Sequence, residues 1–207
     1  MRVGLIADLH LGHAGHARCW HNRLLFDRAD TVTRAAVAAL NARALDAVLV
    51  LGDLTQSGTD DQLAGARAVL DGLAAPWYVL PGNHDGPAVR RGAFDAAFAG
   101  HLLPGDTRWD GVAVAAFGDL PPAAGAPEYY VPDPAAVTRL LARLEAERPR
   151  TLLVASHVPL LSGAARAAHF GGKDAGHYAG GAEIVAALAM RTDRLLLCCG
   201  HQHFHHV

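Results

Sequence analysis

The chain is poor in cysteine, in aromatic residues and in charge of either sign. Its 207 residues include three cysteines, 6% aromatic residues and 18% charged residues, and its formal net charge is −2. The cysteine count is odd, and Cys198 and Cys199 are adjacent in an apolar run. Because adjacent cysteines rarely bridge, we expect reduced, buried thiols in a cytoplasmic protein.

The sequence also lacks any block of basic residues and any apolar run long enough to cross a bilayer. Scattered Lys and Arg on a mildly acidic chain give no general attraction for nucleic acid or anionic lipid. The first apolar run, residues 3–7, is too short for a signal-peptide core and ends in an acid. With 51% hydrophobic residues, residues 1–207 suit a single globular domain without a membrane span or an extended nucleic-acid groove.

Five short polar motifs are present, and each follows an apolar run. Every motif supplies side chains that divalent metals accept, namely carboxylates, amides and imidazoles. The motifs are Asp8-Leu9-His10, Gly52-Asp53, Gly82-Asn83-His84-Asp85, Ser156-His157 and Gly200-His201-Gln202-His203.

The apolar runs predict strands, and helical patterns separate the early ones. The strands are predicted at 3–7, 47–51, 77–80, 152–155 and 195–199. A helix over 30–44 is predicted with Val32, Ala36, Val37 and Leu40 on one face, and a second over 60–73 follows a Ser57-Gly58-Thr59 start signal. This alternation indicates βαβ units and a mainly parallel sheet, whose strands carry ligands beyond their carboxyl ends.

The second half is less regular. Residues 109–118 predict an antiparallel excursion with a strand at 112–117, and a proline-rich irregular loop follows at 121–134. An amphipathic helix is predicted over 135–147. The Gly-rich stretch 162–181 follows the fourth motif and is predicted to be a long loop. Its length predicts a role in substrate specificity.

Several polar side chains lie outside the five motifs. His13, His16 and His21 follow the first motif, and His13, the nearest, is predicted to line the substrate mouth. His101 has no motif context and is predicted at the surface. Asp46 lies beside a strand, where a capping or turn role is expected.

The five motifs together resemble the calcineurin-like metallophosphoesterase superfamily, from Asp8 to His203. The block from Gly52 to Gly58 is most similar to the class III cyclic-nucleotide phosphodiesterase branch. Protein Ser/Thr phosphatases carry Gly-Asp-x-Val-Asp-Arg-Gly there, and Gln56-Ser57 stands in place of Asp-Arg. That departure argues against a protein phosphatase.

The resemblance implies an α/β fold, a four-layer αββα sandwich with two facing mixed β-sheets. The sequence ends shortly after the fifth motif, so the second sheet is expected to be incomplete at its C-terminal side. An uncovered sheet edge there would favour a homodimer.

The resemblance also implies a centre of two metal ions. It assigns Asp8, His10, Asp53 and His203 to one ion, and Asp53, Asn83, His157 and His201 to the other, so that Asp53 bridges them. Imidazole nitrogen with carboxylate or amide oxygen suits divalent or trivalent ions of the Mn and Fe type, with Zn and Ni as alternatives.

The implied reaction is hydrolysis of a phosphodiester or phosphomonoester of a small phosphorylated molecule, with cyclic nucleotides as the suggested class. A hydroxide bridging the ions attacks phosphorus, and His84 assists the leaving group while Asp85 holds the His84 ring. His13, Asn83 and His84 are predicted to contact substrate. Two alternatives stay open: a nuclease that trims DNA ends, and a non-catalytic scaffold on the same fold.

Overall fold

The structure is a computed structural model that describes residues 1–12, 26–105, 107–117, 133–161, 178, 180–201 and 203. The chain divides into two units, Met1–Leu103 and Pro104–Val207. His13, His16 and His21, nearly all of the loop at 121–134 and most of the loop at 162–181 lie outside the described residues. The single domain over 1–207 stays a prediction.

The first unit contains a three-stranded parallel sheet. Its strands are β1 (Val3–Ile6), β2 (Ala47–Leu51) and β3 (Trp77–Leu80), in the spatial order β1-β2-β3. Val3 pairs with Ala47 and Val48 with Trp77. All five residues of β2 are buried, as expected for the middle strand of a parallel sheet.

Four α-helices of the first unit are described, and a short 3-10 helix at Phe26–Arg28 precedes the first of them. They are α1 (Ala29–Asn41), α2 (Asp60–Leu70), α3 (Gly86–Arg90) and α4 (Ala93–Ala97). The predicted start signal of α2 is confirmed, because Thr59 Oγ1 accepts a hydrogen bond from the Gln62 backbone N–H at 3.4 Å.

The buried face of α1 agrees with the predicted one at Val37 and at Leu40, which packs against the core, but not at Val32. Ala29, Thr33 and Val37 are buried, whereas Val32 is 49% exposed. The predicted face included Val32 and omitted Thr33, because threonine was treated as a polar residue. The threonine methyl group, however, lets Thr33 occupy an aliphatic position on the buried face.

His101 is half-buried, so the predicted surface position was wrong. Its ring stacks on Trp77 with centroids 3.7 Å apart. Its Nδ1 lies 3.1 Å from the Trp77 backbone carbonyl. Trp77 itself belongs to the apolar core of the first unit, together with Val48, Val50, Leu63, Leu70, Val79, Phe94 and Phe98.

The second unit contains a four-stranded mixed sheet. Its strands are β4 (Thr107–Trp109), β5 (Val112–Phe117), β6 (Thr151–Ser156) and β7 (Arg194–Cys198), in the order β4-β5-β6-β7. The predicted antiparallel excursion is confirmed, since β4 runs antiparallel to β5, while β5, β6 and β7 run parallel.

Two helices of the second unit are described, α5 (Pro134–Glu147) and α6 (Gly181–Ala189). The Asp133 carboxylate caps α5 by accepting hydrogen bonds from the N–H groups of Ala135 and Ala136 at 2.9 and 3.2 Å. Both helices contribute to a core cluster around Leu144, Leu152, Val154, Tyr178 and Leu188.

Strand β7 is largely exposed despite its apolar sequence. Leu196 is 51% exposed, Cys198 is half-buried and Cys199 is exposed. The prediction of two buried thiols was therefore wrong for Cys199. Partial burial raises the pKa of the Cys198 thiol by desolvation. The end position of β7 in the described sheet explains its exposure.

The predicted α/β fold with two sheets is confirmed, and each motif lies at or just after the carboxyl end of a strand. In the parallel pairs β1-β2-β3 and β6-β7, neighbouring motifs therefore lie at the same edge of their sheet. Among the helices of the described residues, none has the length and apolarity needed to span a membrane.

Candidate metal centre

The loops that follow β1 and β2 are joined by backbone hydrogen bonds. The N–H of Asp8 donates to Gly52 O at 3.0 Å, and that of His10 donates to Asp53 O at 2.9 Å. This pairing continues the parallel register beyond the strands. As a result, Asp8, His10 and Asp53 each place one ligand atom within 4.8 Å of the others. The first unit thus brings three predicted metal ligands together.

The backbone at these ligands is strained. Asp8, His10 and Asp53 have φ values of 56°, 46° and 51°, in the left-handed region that costs a non-glycine residue about 1–3 kcal/mol. Such strain persists only where surrounding contacts enforce it, and it concentrates at functional sites.

Two of the three predicted ligands of the second unit share this backbone feature. His201 has φ of 71° and His203 has φ of 52°. Among the residues that the structure describes, seven non-glycine residues have positive φ, and five of them are predicted metal ligands. The other two, Asp110 and Arg148, lie in the turn between β4 and β5 and at the end of α5.

Asp53 is buried and tightly held, with 1% of its surface exposed. Its Oδ1 accepts a hydrogen bond from the His84 backbone N–H at 2.8 Å. Gly82 packs against the same carboxylate, and a Cβ at this position would overlap Asp53 Oδ1 and the Asp53 nitrogen. Glycine at 82 is therefore a steric requirement for this position of the carboxylate.

One ring nitrogen of His10 contacts Gln56, and the other is directed toward the Asp53 carboxylate. Its Nδ1 lies 3.0 Å from Gln56 Oε1, and its Nε2 lies 3.6 Å from Asp53 Oδ2. An imidazole that donates one N–H to an oxygen acceptor presents its second nitrogen as a metal ligand. Nε2 is thus the nitrogen of His10 that is available to an ion.

His84 is held by Gln56 and not by Asp85. Its Nδ1 lies 2.7 Å from the Gln56 backbone carbonyl, which can only accept, so Nδ1 donates. Its ring also lies edge-to-face against His10, with centroids 4.7 Å apart. Sequence reasoning missed this role of Gln56, although its place three residues after Asp53 put it in a loop joined to the first motif.

The role predicted for Asp85 was wrong. Its fully buried carboxylate accepts hydrogen bonds from the backbone N–H groups of Leu54, Thr55 and Gly82, each at 3.0 Å, and from Thr55 Oγ1 at 2.7 Å. These four donors occupy both oxygens and turn the carboxylate toward the loop after β2. Burial raises the pKa of Asp85, and the hydrogen bonds from Gly82, Thr55 and Leu54 oppose that shift.

Two other predicted positions belong to the first unit. Asn83 is half-buried in the turn after β3, where its carbonyl accepts a hydrogen bond from the Gly86 N–H at 3.2 Å. Its side chain stays a predicted ligand. Asp46 lies just before β2, and its Oδ2 accepts a hydrogen bond from the Arg2 N–H at 2.6 Å. Since Arg2 precedes β1, this contact joins the starts of two neighbouring strands, and the turn role stays a prediction.

The second unit brings two imidazoles together. His157 follows β6 and His201 follows its parallel neighbour β7, and the Gly200 N–H donates to His157 O at 3.0 Å. His201 Nδ1 lies 3.3 Å from His157 Nε2, and the rings meet edge-to-face at 79°. Two ring nitrogens converging in this way form a typical pair of metal ligands. His203 is half-buried two residues further on.

These donor groups fit a transition metal. Carboxylate oxygens and imidazole nitrogens are the ligands that Mn, Fe, Zn and Ni accept. His10, Asp53 and His157 are buried, and the burial of such polar groups without compensation would be costly. A cation would compensate the two carboxylates and accept the imidazole lone pairs.

Comparison with known proteins agrees with this chemistry. The family model described as calcineurin-like phosphoesterase matches residues 1–205. No curated protein matches the chain.

Two solved structures share the fold. A dimetal phosphatase from Danio rerio is 15% identical, with a TM-score of 0.69, and the match covers 97% of this chain and 81% of that one. The protein TT1561 of Thermus thermophilus is 17% identical, with a TM-score of 0.55, over 95% of this chain and 80% of that one. At these identities the likeness concerns the fold alone.

Proposed function

We propose that this chain, which belongs to the calcineurin-like phosphoesterase family, hydrolyses a phosphodiester or phosphomonoester of a small molecule. Membership makes it a metal-dependent phosphoesterase. Cyclic nucleotides are the proposed substrate class, because the block from Gly52 to Gly58 is similar to the class III phosphodiesterases. The net charge of −2 and the scattered basic residues also favour a small substrate over a nucleic acid.

The proposal depends on one observation in particular. Three ligand atoms from Asp8, His10 and Asp53 lie within 4.8 Å of one another, on backbone that is strained at all three residues. A fold that maintains such strain at converging carboxylates and imidazole supports a metal site.

We propose two ions, with the ligand sets that the family resemblance implies. Mn and Fe are the proposed metals, and Zn or Ni the alternatives. One set comprises Asp8, His10, Asp53 and His203, and the other comprises Asp53, Asn83, His157 and His201. When bound, two such ions supply a water of lowered pKa and positive charge that holds a phosphoryl group.

The chain's own residues would then orient substrate and handle the leaving group. Asn83 contributes a neutral oxygen, which limits the negative charge around an anionic substrate. His84 is fixed through Nδ1 on the Gln56 carbonyl, so its Nε2 is the atom that can hold a proton for the leaving alkoxide. Both residues are proposed to contact substrate, as is His13.

The activity can be tested on the purified protein with added Mn²⁺. We expect hydrolysis of 3′,5′-cyclic AMP and of bis-p-nitrophenyl phosphate, and we expect a chelator to abolish it. Trimming of duplex DNA ends would favour the nuclease alternative. Bound metal without turnover on diesters or monoesters would contradict the proposed activity and favour a scaffold.

The role of His84 can be tested through the leaving group. Replacing His84→Ala should retain bound metal and lower kcat on cyclic AMP by about 10²–10⁴-fold, because an alkoxide needs a proton to leave. The loss should be much smaller on p-nitrophenyl esters, since p-nitrophenolate leaves without protonation. His101→Ala, in the same unit, serves as the control histidine. Normal turnover of cyclic AMP by the metal-loaded His84→Ala protein would refute the assignment.

A further inference from the structure

We infer that Gln56 is a positioning residue that fixes the ring nitrogens of both His10 and His84. Its side-chain Oε1 lies 3.0 Å from His10 Nδ1, and its backbone carbonyl lies 2.7 Å from His84 Nδ1. One residue therefore contacts both imidazoles of the first unit's centre, through two different oxygens. The inference rests on the proposed function only in that His10 is taken to bind metal.

Both oxygens determine which tautomer each ring adopts. A carbonyl oxygen only accepts hydrogen bonds, so each Nδ1 must carry the proton and each Nε2 keeps its lone pair in the neutral ring. For His10, that lone pair is on the nitrogen 3.6 Å from Asp53 Oδ2. The opposite amide orientation would present NH₂ to Nδ1 and force the proton onto Nε2, where it would block metal binding.

The loop around Gln56 is itself held on both sides. The Gln56 N–H donates to Leu11 O at 3.1 Å, and the preceding Thr55 donates to the Asp85 carboxylate through its N–H and Oγ1. The position of the Gln56 carbonyl is thus set by contacts that do not involve the Gln56 side chain. Substitution of the side chain should therefore act on His10 and leave the His84 contact in place.

The absence of charge on the Gln56 amide also affects the centre. An amide orients His10 without adding charge, whereas a carboxylate at this position would add a further negative group close to Asp8 and Asp53. The glutamine thereby supports an imidazole ligand while keeping the centre receptive to an anionic phosphate.

The inference can be tested with Gln56→Leu and Gln56→Glu. In the metal-free protein, ¹⁵N NMR of the imidazoles should show His10 protonated on Nδ1, and Gln56→Leu should abolish that preference. By calorimetry, Gln56→Leu should weaken Mn²⁺ binding about 10–100-fold. Gln56→Glu keeps an acceptor and should restore most of the affinity. The Mn²⁺ concentration for half-maximal hydrolysis should shift in parallel.

Gln62→Leu is the matched control, since the Gln62 amide contacts Ser57 and Gly12 instead of an imidazole. It should bind Mn²⁺ as the unaltered protein does. If Gln56→Leu folds poorly, Gln56→Asn, which is one methylene too short to reach His10, should show the same loss.

Unchanged Mn²⁺ affinity and an unchanged His10 tautomer in a folded Gln56 variant would overturn the inference. An equal loss in Gln56→Leu and Gln56→Glu would also overturn it, because the effect would then be independent of the acceptor. Failure of the unaltered protein to bind Mn²⁺ would instead contradict the proposed function, and the NMR measurement would still decide the role of Gln56.

Discussion

Strands β2 and β7 are alike in sequence and opposite in environment. Both are five residues long, mainly aliphatic and followed by predicted metal ligands. Every residue of β2 is buried, whereas Arg194, Leu196 and Leu197 of β7 are exposed. The reason is position, since β2 lies between two strands and β7 is at the end of the described second sheet.

The ligands at the two strand ends are nevertheless placed by the same device. After β2, the Asp8 N–H donates to Gly52 O, and after β7 the Gly200 N–H donates to His157 O, each at 3.0 Å. Parallel register therefore brings ligands together whether or not the strand is buried. The comparison separates two properties: burial governs stability, and neighbouring strand ends govern the geometry of the ligands.

The same leucine-to-alanine substitution should have very different effects on the free energy of unfolding in the two strands. Leu49 of β2 is fully buried and Leu196 of β7 is 51% exposed. Leu49→Ala should lower the free energy of unfolding by about 3 kcal/mol through lost burial and a cavity. Leu196→Ala should change it by less than about 0.5 kcal/mol. Urea denaturation measures both changes, and equal losses of unfolding free energy would contradict the proposed difference between the two strands.

The position of the Asp53 carboxylate after β2 should depend on its close contact with Gly82. Gly82→Ala would push against the Asp53 carboxylate and backbone, and a displacement of about 1 Å can cost about 10²-fold in kcat/KM. Gly65→Ala is the matched control, because a Cβ there meets no atom within 4 Å and alanine favours the helix. Full Mn²⁺-dependent activity in Gly82→Ala would show that the carboxylate tolerates displacement.

A smaller effect on the free energy of unfolding is expected for the buried Asp85 carboxylate, which contacts the loop after β2. Asp85→Asn places an NH₂ group opposite two of the four donors that the carboxylate now satisfies. It should lower the free energy of unfolding by about 2 kcal/mol. The exposed Asp95→Asn is the control and should change it by less than about 0.5 kcal/mol. A wild-type value for Asp85→Asn, measured by thermal or urea unfolding, would mean that these hydrogen bonds contribute nothing.

Much of the fold was predictable because its signals are local. Continuous apolar runs predicted the strands, and Thr59 correctly predicted the start of α2. The motifs were expected at strand ends, and the structure confirms that placement for each of the five. The cytoplasmic location and the homodimer stay predictions.

Two of the wrong predictions, for Asp85 and His101, concern partners that are distant in sequence. Asp85 is adjacent to His84 yet satisfies Leu54 and Thr55 some thirty residues earlier. His101 stacks on Trp77 across 24 residues. No local pattern encodes such contacts, nor does it show that Cys199 follows a strand at the end of a sheet.

The number of Mn²⁺ ions bound by the purified protein and by Asp53→Ala tests the proposed centre most directly. Asp53 is the buried carboxylate common to both proposed ligand sets, so its removal should affect both ions. We expect two ions per chain in the unaltered protein, and loss of both ions together with all metal-dependent hydrolysis in Asp53→Ala. A folded Asp53→Ala protein that retains two ions and full activity would contradict the proposal.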